Sequence, residues 1–388
     1  MGKGTIPRAR SAPTILDLFA GAGGLSLGFE QAGFRVVAAV EFWEPASKTY
    51  ARNHPGVHLF KDDIRNDDVK QKILAIHQDS PIDVIIGGPP CQGYSNAGNR
   101  DPLDPRGQLY LDFYQVIATM QPRAFVMENV KGLASMKVLP PDLPKKEAGA
   151  MQKQLAAIRR FKDLKRYGAQ RALDPDEQAE FDTIARTLSK TQTAIKQHLV
   201  PLLPLILSIA ERAGYAVSWQ VLNAKHFGSP QARERVFIVG IRKDIDRGFE
   251  FPKPSDCVRT VRDALHDLEG KPPGYLPNHE FTRHAPAFVK RLHSTAPGEN
   301  VYEHYTDGWW RLLPDKPART VKENHGGVFV HYSEDRVLTP RELARLQDFP
   351  DDYVFEGAKS MVLKQIGNAV PVNLSRAIAE ELLKFLDV

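Results

Sequence analysis

The run Thr14-Ile15-Leu16-Asp17-Leu18-Phe19 is apolar enough for a buried strand, and it breaks at once into Ala20-Gly21-Ala22-Gly23-Gly24 before a helical pattern from Leu25 to Gln31. Strand, glycine turn and helix in that order commit this end of the chain to an α/β unit whose turn presents backbone N–H groups to a ligand. Ser26 stands where the dinucleotide fingerprint has its third glycine, so the turn alone does not name that ligand. Val36 to Val40 reads as a second strand ending at Glu41-Phe42. An acid at that place in α/β nucleotide sites holds ribose hydroxyls, and an adjacent ring can stack on an adenine. The competing account is a solvated acid beside a core aromatic. Lys61-Asp62-Asp63-Ile64 closes a third strand, with Asp63 suited to a base's amino group.

A second apolar run, Ile82 to Ile86, leads into Gly87-Gly88-Pro89-Pro90-Cys91-Gln92-Gly93-Tyr94-Ser95. Two prolines fix φ just before Cys91 and two glycines precede them, so a single thiol is carried on a rigid elbow open to close approach. A buried cysteine in an ordinary turn is the alternative. After a polar loop containing Asp104-Pro105-Arg106-Gly107, a helix is expected from about Gln108 to Met120. Then comes a strand, Arg123 to Met127, delivering Glu128-Asn129-Val130 at its end, the side of an α/β sheet where ligands sit. Apolar Val126, Met127 and Val130 should raise the pKa of Glu128, making it a proton donor near neutrality. A helix from Leu202 to Ala213 and strands Tyr215 to Leu222 and Arg235 to Ile241 complete the sheet, with Gln231-Ala232-Arg233-Glu234-Arg235 between those strands.

A chain of 388 residues that is 42% hydrophobic and 26% charged is neither disordered nor fibrous, and it is long enough for one large domain and a smaller one. Basic Met1 to Ser11 runs into a strand pattern rather than an apolar segment with a cleavage site, and no stretch approaches a membrane span, so a cytoplasmic protein is expected. With only 2 cysteines, Cys91 and Cys257, there is no disulfide framework and no Cys-x-x-Cys metal pair, and the histidines show no ligand spacing. No metal is expected. The net charge of +5 is unevenly placed: residues 145 to 198 hold 12 Lys/Arg against 7 Asp/Glu, and the remainder balances at 40 against 40. A basic segment of this kind suits DNA phosphates or a partner protein, with a solvated stalk an equal alternative. Within residues 133 to 198, Leu155, Ile158, Phe161 and Leu164 recur at helical spacing, as do Phe181, Ile184, Leu188, Ile195 and Leu199. Asp174-Pro175-Asp176-Glu177 forms a helix start between them, predicting an antiparallel helical hairpin.

Taken together these motifs resemble the DNA (cytosine-5)-methyltransferases of restriction–modification systems, over most of the chain. Asp17 to Gly24 is similar to the cofactor loop, Pro89-Pro90-Cys91-Gln92 to the nucleophile loop, Glu128-Asn129-Val130 to the acid motif and Gln231 to Arg235 to the arginine motif. Arg341-Glu342-Leu343-Ala344-Arg345-Leu346-Gln347-Asp348-Phe349-Pro350 and Gln365-Ile366-Gly367-Asn368-Ala369-Val370-Pro371 resemble the closing motifs, and all six stand in the family's order. The resemblance implies an α/β, Rossmann-like mixed sheet of the S-adenosylmethionine-dependent methyltransferase kind. It further implies a catalytic domain over 12–255, a target-recognition domain over 256–336, a return to the catalytic domain over 337–388 and S-adenosyl-L-methionine as cofactor.

The same resemblance places Cys91, Glu128, Arg233 and Arg235 at the reacting cytosine. It places Phe19, Gly21, Gly23, Gly24, Leu25, Glu41, Phe42, Asp63, Ile64, Pro90, Leu109, Asn368 and Val370 at the cofactor, and Gln92, Ser95, Arg106, Gln231, Arg319 and Thr320 at DNA. The implied partners are double-stranded DNA with a short specific cytosine site and a cognate restriction endonuclease for that site, with the protein a monomer in the cytoplasm or nucleoid of a prokaryotic cell. Because a stacked cytosine is out of reach, the base must be flipped from the duplex. A tRNA cytosine-5 methyltransferase of the same architecture is the alternative, but the Cys-Phe-Thr tripeptide of that branch is absent and Cys257 sits in Asp256-Cys257-Val258. A non-enzymatic DNA-binding relative should have lost the thiol or the acid, and a nicotinamide dehydrogenase is disfavoured by the missing third glycine.

Overall fold

The computed structural model describes residues 12–90, 109–140, 142–246, 248–256, 258–302, 308–323 and 329–386. β1 (Thr14–Leu18) is buried along its whole length, as an unbroken apolar run demands of a strand covered on both faces. Helix and strand then alternate through α1 (Gly24–Gln31), β2 (Arg35–Val40), α2 (Glu44–Asn53), β3 (His58–Phe60), α3 (Asp67–Asp79), β4 (Val84–Gly87), α4 (Leu109–Met120) and β5 (Ala124–Val130). These five strands pair in parallel, because each connection carries a helix long enough to cross back over the sheet. Next come β6 (Lys137–Val138), α5 (Lys145–Gly168), α6 (Pro175–His198), β7 (Val200–Pro201), α7 (Leu202–Arg212), β8 (Tyr215–Asn223), β9 (Gln231–Ala232) and β10 (Glu234–Arg242). The link from β8 to β10 is too short for a crossover helix, so β10 returns antiparallel to β8 and also pairs antiparallel with β5. The sheet order is β3-β2-β1-β4-β5-β10-β8, the mixed α/β sheet expected from the sequence.

Towards the C-terminus lie α8 (Val261–Leu265), α9 (Pro286–His293), β11 (Trp310–Arg311), β12 (Ala318–Arg319), β13 (Phe329–Val330), α10 (Pro340–Leu346), α11 (Lys359–Asn368) and α12 (Val372–Phe385). α12 covers the sheet beside α1, burying Leu374, Ile378 and Leu382 against Ile15, Phe29, Val84, Val126 and Phe237.

The chain folds into two compact units. The first comprises 1–89, 112–131 and 210–388 and holds the whole sheet; the second comprises 90–111 and 132–209. Residues 256–336 fall within the first unit, since Val261, Leu265, Leu312 and Phe329 share one core with Leu343, Phe349 and Ile366. A second, smaller core of Leu292, Val301 and Val330 lies wholly within that interval. In the second unit α5 and α6 form the hairpin that the apolar spacing predicts. Met151 and Leu155 meet Ile195 while Phe161 stacks on Phe181 at 4.7 Å, so the helices run antiparallel. Asp174 caps α6 by accepting from the Glu177 N–H at 2.8 Å, with the Glu177 carboxylate returning to Asp174 N.

Two boundaries differ from those expected. β3 ends at Phe60, leaving Asp63 and Ile64 beyond it. Glu128 to Val130 lie inside β5 rather than after it, because β10 continues the ladder past Met127 by pairing Phe237 with Glu128 and Arg235 with Val130. Gly240 faces Phe125 across the same ladder, where an added Cβ would stand 1.9 Å from the ring. Gly240→Ala should therefore destabilise the protein by about 1–3 kcal/mol through overpacking, measured as a lower thermal midpoint.

Candidate active site

The C-terminal ends of the parallel strands carry the first half of the site. Glu41, directly after β2, accepts the Gly21 N–H at 2.7 Å and the Trp43 N–H at 2.6 Å. Burial raises its pKa, and these two bonds oppose the shift. Phe42 leaves its ring 72% exposed. Phe19 is half-buried and left-handed at φ 62°, which turns the chain sharply off β1 into the glycines. A Cβ on Gly21 would meet nothing within 4 Å, so that part of the turn is open, whereas one on Gly24 would lie 2.5 Å from the Val370 carbonyl.

The structure thus brings Gly21 to Glu41 and Gly24 to Val370, while Leu25 and Ile64 are core residues. The Asp63 carboxylate is clasped by Arg65 at 3.0 Å through Nε, which holds its pKa below the usual range. Asn368 ends α11 with its side chain exposed. Pro90 and Leu109 belong to the second unit, half-buried and buried respectively.

A polar network that no sequence motif marks lies beneath this loop. Ser26, in place of a third glycine, donates its hydroxyl to Asp17 at 2.6 Å and meets the Tyr50 hydroxyl at 2.7 Å. Asp17 is fully buried, its Oδ1 has no partner among the described residues, and burial pushes its pKa up to about 8.

The second half of the site is built on β4 and β5. Cys91, Gln92, Ser95 and Arg106 lie outside the described residues, as does Cys257. Asn129 donates through Nδ2 to the Pro89 carbonyl at 2.8 Å, fixing the backbone two residues before Cys91. A Cβ on Gly88 would come within 3.1 Å of Glu128 Oε2, so the same segment passes against the carboxyl group. Glu128 is buried, and Arg235 reaches its Oε1 through Nε at 2.9 Å. Register explains the meeting: Glu128 pairs with Phe237 and Val130 with Arg235, which makes Arg235 the diagonal neighbour of Glu128 on one face of the ladder. Burial raises the Glu128 pKa, as expected from its apolar setting, and the charges of Arg235 and Arg233 act against that rise.

Gln231 and Arg233 both point into the interior. Gln231, expected at DNA, is fully buried. Its Nε2 donates to the Leu346 carbonyl at 2.7 Å and to Gln347 at 2.5 Å, and its Oε1 accepts the Val321 N–H at 3.1 Å. Wholly shielded and bonded on both sides, this amide holds the fold together rather than facing a groove. Arg233 is buried too, donating to the carbonyls of Val321 at 2.6 Å and Gly367 at 2.8 Å, and burial lowers its pKa. Both side chains fasten the segment after β12, which itself pairs with β9. Thr320 donates to the Ala232 carbonyl at 2.9 Å, and exposed Arg319 lies over the Trp310 ring at 3.6 Å.

Among the described residues no group of three or more His, Cys, Asp or Glu is placed to hold a metal, and no helix is long and apolar enough to cross a membrane. Asp17 supplies a test of pH dependence. Its folded pKa of about 8 lies above the ordinary 3.8, so its contribution to stability is complete below about 4 and is lost as pH rises to about 8. Asp17→Asn should flatten the fall in thermal midpoint across that window.

A sequence model of the C-5 cytosine-specific DNA methylase family matches residues 13–140 and 195–384, passing over most of the α5–α6 hairpin. Type II methyltransferase M1.HphI of Haemophilus parahaemolyticus is 33% identical over 96% of this chain and 87% of its own length. M.NgoPII of Neisseria gonorrhoeae is 31% identical over 98% of each. Among solved structures, a putative DNA modification methyltransferase encoded within an E. coli prophage superposes with TM-score 0.67 at 25% identity, covering 97% of this chain and 100% of that one. A DNMT2 mutant of Spodoptera frugiperda shares the fold, with TM-score 0.59 at 16% identity over 97% and 100% of the two chains.

Proposed function

From the premise that the chain belongs to the C-5 cytosine-specific DNA methylase family and is a DNA (cytosine-5)-methyltransferase of the restriction–modification type, we propose how its own residues carry out the reaction. The reading rests chiefly on the buried Glu128–Arg235 pair standing where Asn129 pins the backbone of the nucleophile loop. Cys91 adds through its thiolate to C6 of a flipped cytosine, moving electron density to C5, where the methyl group is accepted. Glu128 supplies a proton to N3 as the ring takes up that density, a task suited to a carboxyl whose pKa burial has raised. Arg235 holds the Glu128 carboxyl in place, while Arg233 acts at a distance by anchoring Val321 and Gly367. The C5 proton is then lost to a base, the C6–S bond breaks to expel Cys91 as thiolate, and the N3 proton returns to Glu128, completing the cycle.

The open face of Gly21, the carboxylate of Glu41 and the exposed ring of Phe42 fit S-adenosyl-L-methionine. Each Glu41 oxygen accepts one backbone N–H and keeps lone-pair capacity for a ribose hydroxyl, and the Phe42 ring offers a face to adenine. Asp63 would meet the amino group of the base, with Phe19, Leu25, Ile64, Pro90, Leu109, Asn368 and Val370 around the rest. When bound, this cofactor supplies an electrophilic methyl group. The nucleophile assignment is tested with duplex DNA carrying 5-fluorocytosine, whose fluorine blocks the final elimination. A covalent adduct should form on Cys91 and disappear in Cys91→Ser; an adduct mapped to Cys257 rules the assignment out.

Base choice is assigned to residues 256–336, with Arg319 and Thr320 facing the duplex. Their charge is nearly balanced, 11 basic against 12 acidic, which suits reading of base edges better than general phosphate affinity. The protein acts as a monomer in the cytoplasm, beside an endonuclease of the same site. Expressed in a methylation-free host, it should place 5-methylcytosine at one short motif, and exchanging 256–336 with that of a relative of different specificity should change the motif. An unchanged motif removes specificity from this interval.

A further inference from the structure

The tightest part of the glycine turn closes on protein and not towards a ligand. A Cβ on Gly23 would lie 2.4 Å from His54 Nε2 and 2.5 Å from the Tyr353 hydroxyl, in contrast to the open space at Gly21. His54 caps the C-terminus of α2 and Tyr353 follows α10; both are buried, and neither belongs to a motif singled out in the sequence. They meet beneath Ala22. His54 Nε2 is 3.0 Å from the Tyr353 oxygen, His54 Nδ1 is 2.8 Å from Glu30 on α1, and the Tyr353 hydroxyl donates to the Ala22 carbonyl. Tyr50 stacks on the imidazole at 4.3 Å.

Counting hydrogens fixes the direction of this chain. A carbonyl only accepts, so the one phenol hydrogen goes to Ala22, and burial keeps it there by raising the Tyr353 pKa. His54 Nε2 must then carry a hydrogen and donate to the phenol oxygen, with Nδ1 turned to Glu30. Because the peptide is planar, holding the Ala22 carbonyl also aims the Gly23 N–H, which donates to the Ala20 carbonyl at 2.9 Å and closes the turn. Gly21, inside that closed turn, is the residue whose N–H meets Glu41.

We propose that His54 and Tyr353 are positioning residues for the methyl donor, locking the Ala20–Gly23 turn from beneath so that Gly21 and Glu41 meet the cofactor already in place. This rests on the reading that the turn binds S-adenosylmethionine. Calorimetric titration of the whole protein with S-adenosylmethionine tests it, using Tyr353→Phe, His54→Leu, His54→Gln and, as a control on the reading itself, Glu41→Ala. Tyr353→Phe and His54→Leu should each weaken cofactor binding about ten-fold. Together they should weaken it no further, because they break one chain. His54→Gln, which keeps an N–H near Nε2, should recover most of the loss. The cost should fall on KM for the cofactor rather than on kcat, and DNA affinity without cofactor should hold. Wild-type cofactor affinity in Tyr353→Phe while Glu41→Ala has lost it overturns this inference alone, and so does an equal loss of DNA affinity. Failure of the unaltered protein to bind S-adenosylmethionine overturns the reading and the inference with it. If His54→Leu does not fold, the contrast between Tyr353→Phe and His54→Gln decides.

Discussion

A carboxyl group buried on β5 and an arginine brought to it by an antiparallel neighbour are the contact on which the site depends. Glu128 could not remain an isolated charge where it stands, since desolvation of an unpaired carboxylate is far costlier than any single hydrogen bond recovers. Antiparallel β10 resolves this by setting Arg235 diagonally across the ladder. The raised pKa and the lowering influence of the guanidinium are then two sides of one arrangement: burial favours the proton, and the arginine limits how far. Asn129, the next residue along the strand, turns to the other side and holds Pro89. One short strand therefore carries the buried carboxyl proposed as proton donor and also fixes the backbone at Pro89, two residues before Cys91.

The irregular segments near the C-terminus raise a different problem. Val321 follows a two-residue strand, and Leu346, Ile366 and Gly367 stand in the last turns of α10 and α11, where carbonyls run out of regular intrahelical partners, so these interior groups call on side-chain donors. Gln231, Arg233 and Gln347 supply the donors, Gln347 reaching the Ile366 carbonyl at 2.6 Å. Packing there is close enough that a Cβ on Gly367 would stand 2.4 Å from the backbone of Lys322 and Glu323. The long polar side chains of the arginine motif are in this sense substitutes for secondary structure. They tie residues expected to read DNA to the closing segment expected to meet the cofactor.

Beneath the glycine turn, polar groups again do the work of packing, with Asp17, Ser26 and Tyr50 in one chain and Glu30, His54 and Tyr353 in another. The two chains are joined by the stacking of Tyr50 on His54. A serine at the third glycine position, which set this turn apart from a dinucleotide site, acquires a physical role as the hydroxyl that meets both Asp17 and Tyr50.

The seven strands of the main sheet, helices α1, α4 and α7, the hairpin with its Asp174 cap and the order of motifs were legible in the sequence, because apolar period, capping and turn chemistry act over a few residues. The raised pKa of Glu128 was legible for the same reason, its apolar neighbours being adjacent in the chain. What the sequence could not disclose were contacts between distant residues. The inward fate of Gln231 and Arg233 was hidden because a polar side chain in a motif looks alike whether it faces DNA or a buried carbonyl 134 residues away. Tyr353 stands 331 residues from the Ala22 carbonyl it holds, and no local pattern marks either for the other. Tertiary structure alone decided these partners, since which buried carbonyl needs a donor is settled only when the segments have packed.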